Sequence, residues 1–197
     1  MNTQTKPTSA TKTRLLAECA ILIALSTVLS FVKIWNMPWG GSITLLSMLP
    51  VALVSIRYGV KQGLFSAFVY SCIQLVFGIT MDGLLGWGLS AGMLTACILL
   101  DYILAFTVIG LSGVFAKKGL AGVISGTIFA IALRFISHTL SGIFVFAACG
   151  KLWEGFETQN TLLYSMVYNG AYMLPEMVMT AIGAVFVYKA LNKVLKY

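Results

Sequence analysis

The sequence predicts an all-α membrane protein with six transmembrane helices and both termini in the cytoplasm. Hydrophobic residues fill 59% of its 197 positions and charged residues only 10%, against about 25% charged in an average soluble domain. A bilayer core needs about 20 apolar residues per helix, and six apolar stretches occur, at residues 15–33, 43–57, 60–79, 89–115, 119–146 and 162–188. The basic residues supply the orientation. Lys6, Lys12 and Arg14, then Arg57 and Lys61, then Lys117 and Lys118, then Lys189, Lys193 and Lys196 fall at alternate helix ends. The opposite ends carry only Lys33 and Lys151, together with Asp82, Glu154 and Glu157. Cytoplasmic loops carry the excess of Lys and Arg, so the first set faces the cytoplasm. This distribution also accounts for the +7 net charge without a nucleic-acid partner.

Residues 1–13 are rich in Thr, Ser and Lys around Pro7 and read as a disordered cytoplasmic tail. Residues 14–197 then form a single membrane-embedded, substrate-binding domain. No Ala-x-Ala-like site closes the first apolar run, which is therefore expected to stay in the mature protein as helix 1. Within it, Ala20 and Ala24 have the small-x-x-x-small spacing that allows close helix approach. The second stretch is short and the fourth and fifth are long, so kinks, tilts or turns are expected there. Three segments are expected as loops on the outer face. Residues 35–42 combine Trp35 and Trp39 with Pro38, Gly40 and Gly41, residues 82–88 hold Trp87 between glycines, and residues 150–160 form the longest polar break.

Against this apolar background, a few polar residues stand out. Asp101 lies inside the run 96–110, which contains no other charge. A carboxylate at that depth costs about 2.5–3.5 kcal/mol on insertion scales. It therefore faces a protected interior and has a partner or a cationic ligand. Arg134 and His138 are four residues apart and share a helix face, as do Tyr168, Tyr172 and Glu176. Asn169 lies close to that second face. A fixed Asp101–Arg134 bridge that merely sets helix packing is the structural alternative. Glu176 follows Pro175 and is left outside the site, because the position also suits a kink or the cytoplasmic end.

Enzyme chemistry has little to build on. The single histidine limits triads and zinc sites, and there is no Ser/His/Asp set or His-Glu-x-x-His helix. The four cysteines have no Cys-x-x-Cys spacing. No phosphate-binding loop occurs either, so energy for active transport has to come from other subunits or an ion gradient.

Four segments carry a resemblance. Leu100-Asp-Tyr-Ile-Leu-Ala-Phe, Leu133-Arg-Phe-Ile-Ser-His-Thr-Leu-Ser-Gly142, Tyr164-Ser-Met-Val-Tyr-Asn-Gly-Ala-Tyr-Met-Leu-Pro175 and Met37-Pro-Trp-Gly-Gly-Ser42 together resemble the thiamine-specific substrate-binding (S) components of energy-coupling factor (ECF) transporters. The resemblance implies a multi-pass subunit of the bacterial cell membrane, surrounded by lipid, that captures thiamine from outside. It also implies assembly with a transmembrane scaffold (T) subunit and two ATPases, with no catalytic residues, metal or cofactor of its own. Carried over by position, the implied thiamine-binding residues are Trp39, Tyr70, Asp101, Tyr102, His138, Phe146, Tyr164 and Asn169. Ala20 and Ala24 are the implied docking positions for the scaffold.

This chain departs from the family pattern at Asp101, where some relatives have Glu, and at Phe146, where some have a stacking Trp. Trp87 matches no family position. The alternatives are an S component for another vitamin or precursor, such as riboflavin or a pyrimidine fragment, and a non-transport scaffold built on an Asp101/Arg134 bridge.

Overall fold

The computed structural model describes residues 9–37 and 40–194. Helix α1 runs Ser9–Ser30. No glycine or proline interrupts these residues, so once nucleated the helix propagates through them. The last five residues of the expected tail are therefore helical, and residues 1–8 lie outside the described part. Arg14 Nε meets Glu18 Oε1 at 2.8 Å one turn on, while Glu18 Oε2 meets Arg57 at 3.2 Å, tying α1 to the end of the next helix.

The fold is helical but not purely so. Strands β1 (Lys33–Asn36) and β2 (Ser42–Thr44) pair antiparallel, with Trp35 opposite Ile43 and a bulge between Lys33 and Trp35. Strands β3 (Gly150–Trp153) and β4 (Phe156–Thr158) form a second hairpin around Gly155 at φ 86°. The all-α expectation is corrected at these two segments, where the sequence predicts loops and the chain forms paired strands. Aromatic and β-branched residues flanking glycine turns favour paired strands over open loops.

The expected span at 43–57 divides into β2, a tight turn and helix α2, Leu49–Tyr58. Ten residues rise only about 15 Å, half a bilayer core. Gly59, at φ 93°, links α2 directly to α3 (Val60–Thr80), a conformation costly for any residue with a Cβ. At this end the helices touch backbone to backbone. A Cβ on Gly63 would lie 2.6 Å from the Gly110 carbonyl oxygen, and Ser55 Oγ donates to that oxygen at 2.5 Å and accepts from Gly113 N at 2.9 Å.

Helix α4 is a composite. It begins as an α-helix over Ala91–Cys97, winds as a π-helix over Ile98–Leu104, returns to α over Ala105–Thr107 and tightens to 3-10 over Val108–Leu111. A turn leads into α5, Gly119–Ser141, which itself ends in a π-helical segment, Gly142–Phe146. The start of α4 packs on that last segment, so the two run antiparallel. The irregularity expected of the long fourth and fifth stretches thus takes the form of π-helical turns, which change the direction of side chains along a helix. Asp101 and Tyr102 lie in one such segment and Phe146 in the other. Helix α6, Thr161–Val194, is 34 residues long and contains Pro175.

Among the described residues, four helical stretches are long and apolar enough to cross a bilayer: Lys12–Ser30, Val60–Thr80, Ala91–Phe146 and Thr161–Leu191. Their outer surfaces carry large exposed apolar side chains, including Leu16, Ile21, Phe65, Phe144 and Phe186. In a spanning protein these meet lipid rather than water. Inside, Met48, Val51, Ala67, Tyr70, Ile109, Ile131 and Met173 form the main core, and Leu84, Cys97 and Val145 form a second cluster beneath the loop of Trp87.

Candidate functional site

The helices and the first hairpin enclose a cavity of about 650 Å³, within the usual range for small-molecule sites. Asp101, Tyr102, His138, Phe146, Tyr164, Asn169 and Tyr70, which the sequence marks as ligand-binding, all line it. They come from α3, α4, α5 and α6 and are brought together by folding alone. Trp39 lies outside the described residues; its neighbours Gly40 and Gly41 line the cavity. A smaller hollow bordered by Lys33, Asn36, Met37, Asp82 and Trp87 adjoins the cavity at the first hairpin.

Asp101 does not pair with Arg134, and the structure corrects that alternative. Its Oδ1 lies 2.8 Å from His138 Nδ1, while Oδ2 accepts from Ser141 Oγ and lies 3.3 Å from Cys97 Sγ. Arg134 sits on the other side of the imidazole, with its Nε donating to His138 Nε2 at 3.3 Å. Its Nη1 lies 3.8 Å from Glu176 Oε2, and its guanidinium stacks 4.2 Å from the Phe106 ring. Glu176 in turn accepts from Thr44 N at 2.8 Å and Thr44 Oγ1 at 2.6 Å. A polar chain therefore runs from β2 through Glu176, Arg134 and His138 to Asp101. Charges at this depth persist when partnered, and each of these groups has a partner.

Aromatic rings fill much of the remaining wall. Trp87 and Phe146 lie 6.0 Å apart, Tyr70 meets Phe106 edge to face at 5.6 Å, and Tyr168 meets Tyr172 edge to face at 5.9 Å. Tyr102 belongs to the same cluster as Trp87 and Phe146. Tyr172 Oη donates to Asn169 Oδ1 at 2.7 Å, and the Asn169 amide donates to Ser165, so Asn169 holds a tyrosine in place. Tyr168 Oη accepts from Gly41 N at 3.2 Å, tying the first hairpin to α6. Small residues make room for the rings. A Cβ on Gly41 would lie 2.8 Å from Tyr172 Cε1, and one on Gly78 would run into the Tyr102 ring.

The cavity also includes residues beyond those the sequence marks. Tyr168, Tyr172 and Glu176 lie on the four-residue spacing visible in the sequence, but the proline before Glu176 drew attention to the helix end instead. Gln74, one turn after Tyr70 on α3, donates to Ser30 Oγ at 3.1 Å. Trp87 and Asp82 come from a loop whose path no helical period foretells. Lys33 and Asp82 line the cavity and approach to 3.7 Å. Chemically, the site offers the Asp101 carboxylate among π faces, with Glu176 paired to Arg134 and Asp82 near Lys33, and backbone and hydroxyl groups that can orient polar edges. That combination suits an organic cation with a planar ring.

The chain matches the family model described as thiamine transporter protein over residues 16–196. It is 30% identical over 197 residues to the thiamine transporter ThiT of Bacillus subtilis (strain 168), covering 92% of this chain and 93% of that protein. Among solved structures it is similar to ThiT from Listeria monocytogenes, with a TM-score of 0.72, 25% identity and coverage of 92% of this chain and 97% of that one. The S component of a bacterial ECF transporter shares the fold at a TM-score of 0.53 and 17% identity, over 94% of this chain and 96% of that one.

Proposed function

The chain belongs to the thiamine transporter family, and from that premise we propose that it is the substrate-capture subunit of an ECF transporter, binding thiamine for vitamin uptake. The observation that carries this reading is the Asp101 carboxylate set in an aromatic-lined cavity of about 650 Å³. Thiamine has a permanently cationic thiazolium, an aminopyrimidine with donors and acceptors, and a hydroxyethyl arm. Each aromatic face on such a cation contributes about 0.5–2 kcal/mol, and the carboxylate adds charge complementarity.

In this reading Asp101 is the anionic partner, and Tyr102, Phe146 and Trp39 supply stacking surfaces. Both nitrogens of His138 are engaged, by Arg134 and Asp101, so His138 offers the ligand its ring face. Tyr164 and Tyr70 border the ligand, and Asn169 acts through the Tyr172 ring it holds. The protein performs no chemistry on the vitamin. ATP hydrolysis belongs to two partner ATPases coupled through a T subunit, and Ala20 and Ala24, exposed on α1 beside Ile21, form the face that docks on that subunit. The charge pattern of the loops supports six passes of the chain through the cell membrane with both termini cytoplasmic.

A thermal-shift panel of vitamins on the purified subunit tests the ligand. Thiamine is expected to raise the melting temperature, as any ligand binding only the folded state must. Stabilisation by riboflavin or a free pyrimidine without stabilisation by thiamine overturns the assignment.

A further inference from the structure

We propose that Arg134 is a positioning residue that fixes the tautomer of His138 and so aims its Nδ1–H at the Asp101 carboxylate of the ligand site. A guanidinium has only donors, so where Arg134 Nε meets His138 Nε2 at 3.3 Å the imidazole nitrogen has to accept. An accepting Nε2 carries no proton. The proton of the neutral ring then sits on Nδ1 and points at Asp101 Oδ1, 2.8 Å away. Asp101 Oδ2 is covered by Ser141 Oγ and Cys97 Sγ, both of which can donate to it. The carboxylate is thus the acceptor in each of these contacts.

The consequence is electrostatic. Arg134 is 7% exposed and Glu176 3%, and the two form a buried pair. With His138 neutral, the connected groups Asp101, His138, Arg134 and Glu176 carry one surplus negative charge. The other charged groups lining the cavity are Lys33 and Asp82, which approach each other, and Lys151. By holding Nε2 as an acceptor, Arg134 keeps the Nδ1–H on Asp101 and the carboxylate fixed in place for an incoming monocation. Arg134 does this through His138. Glu176 anchors the guanidinium from the far side, and Phe106 supports its plane at 4.2 Å.

This inference rests on the proposed thiamine site for its ligand, but the tautomer can be read without any ligand. Because the chain has one histidine, nitrogen NMR on ligand-free protein labelled with ¹⁵N-histidine and held in nanodiscs reports His138 alone. The expected spectrum has a protonated Nδ1 and a bare, pyridine-like Nε2 that couples to both ring carbon-bound protons. Arg134→Met is expected to lose this fixed pattern, while Glu176→Gln, which leaves the Arg134 Nε–His138 contact, retains it. Should Arg134→Met fail to fold because it strands Glu176, the Arg134→Met/Glu176→Gln pair removes both charges and is read instead.

The Arg134→Met/Glu176→Gln pair, which removes one charge of each sign, is also expected to weaken thiamine binding about tenfold as Asp101 loses its fixed orientation. Binding of the neutral 4-amino-5-hydroxymethyl-2-methylpyrimidine should change much less. A protonated Nε2 in the wild type, an Nδ1–H tautomer that survives loss of Arg134, or equal weakening of both ligands overturns the proposal. A correct tautomer in a protein that does not bind thiamine instead removes the proposed function and leaves the tautomer assignment standing.

Discussion

Glu176 on α6 accepts two hydrogen bonds from Thr44 on β2, one from the backbone N at 2.8 Å and one from Oγ1 at 2.6 Å. The hairpin that borders the cavity is thereby fastened to the helix that supplies Tyr164, Asn169 and Tyr172. Fastening and charge balance meet in one side chain, since the other Glu176 oxygen faces Arg134.

Glu176→Gln should therefore loosen the hairpin. The amide oxygen still accepts from Thr44 but more weakly than a carboxylate, and the side chain no longer balances the guanidinium; losing a buried charged partner of this kind costs about 1–3 kcal/mol. Stopped-flow measurement of thiamine release should show faster dissociation, together with a lower melting temperature in the absence of ligand.

Gly41→Ala tests the same closure sterically. Its methyl group would lie 2.8 Å from Tyr172 Cε1 and 2.9 Å from Tyr168 Oη, and overpacking of this kind costs about 1–3 kcal/mol unless the rings move. Weaker thiamine binding is the expected result, measured by calorimetry, and truncating Tyr168 to Leu in the same chain should recover part of the loss.

Gly78→Ala should act on the other aromatic wall, because the new methyl group would run into the Tyr102 ring. Displacing that ring should weaken thiamine binding roughly five- to tenfold, about 1–1.4 kcal/mol. Binding of the uncharged pyrimidine alcohol offers the comparison that separates ring stacking from general damage.

Much of the site was legible because charge and spacing are strong signals in an apolar chain. Asp101 stands out as an isolated carboxylate, and Arg134 and His138 share a face by their four-residue spacing. Partners across helices were less visible. Nothing in the sequence says that His138 lies between Arg134 and Asp101, since that depends on how α4 and α5 pack. The π-helical segment around Asp101 also changes which residues share a face, and no 3.6-residue period reveals it. Of the fold, the helices at 60–79 and 162–188 match α3 and α6 closely, because long apolar runs leave few alternatives. The stretch at 43–57 is a short strand, a turn and a half-length helix rather than one continuous helix, a division that apolar content alone does not reveal. The hairpins were hidden because their glycine-rich turns also suit open loops.

Ala20→Trp and Ala24→Trp separate capture from energised transport. Both alanines are exposed on α1, away from the residues lining the cavity. Thiamine binding by the isolated subunit should remain within about twofold of wild type, less than about 0.4 kcal/mol. Uptake of labelled thiamine by vesicles containing the whole transporter should be lost.

The most direct test of the account is calorimetric titration of the purified subunit with thiamine, carried out in parallel on Asp101→Asn. The account predicts saturable binding of one thiamine per chain, weakened about ten- to a hundredfold in the variant, or about 1.4–2.8 kcal/mol, with the variant's ligand-free melting temperature close to that of wild type. Unchanged thiamine affinity in a folded Asp101→Asn protein, or no binding to the wild type, would contradict it.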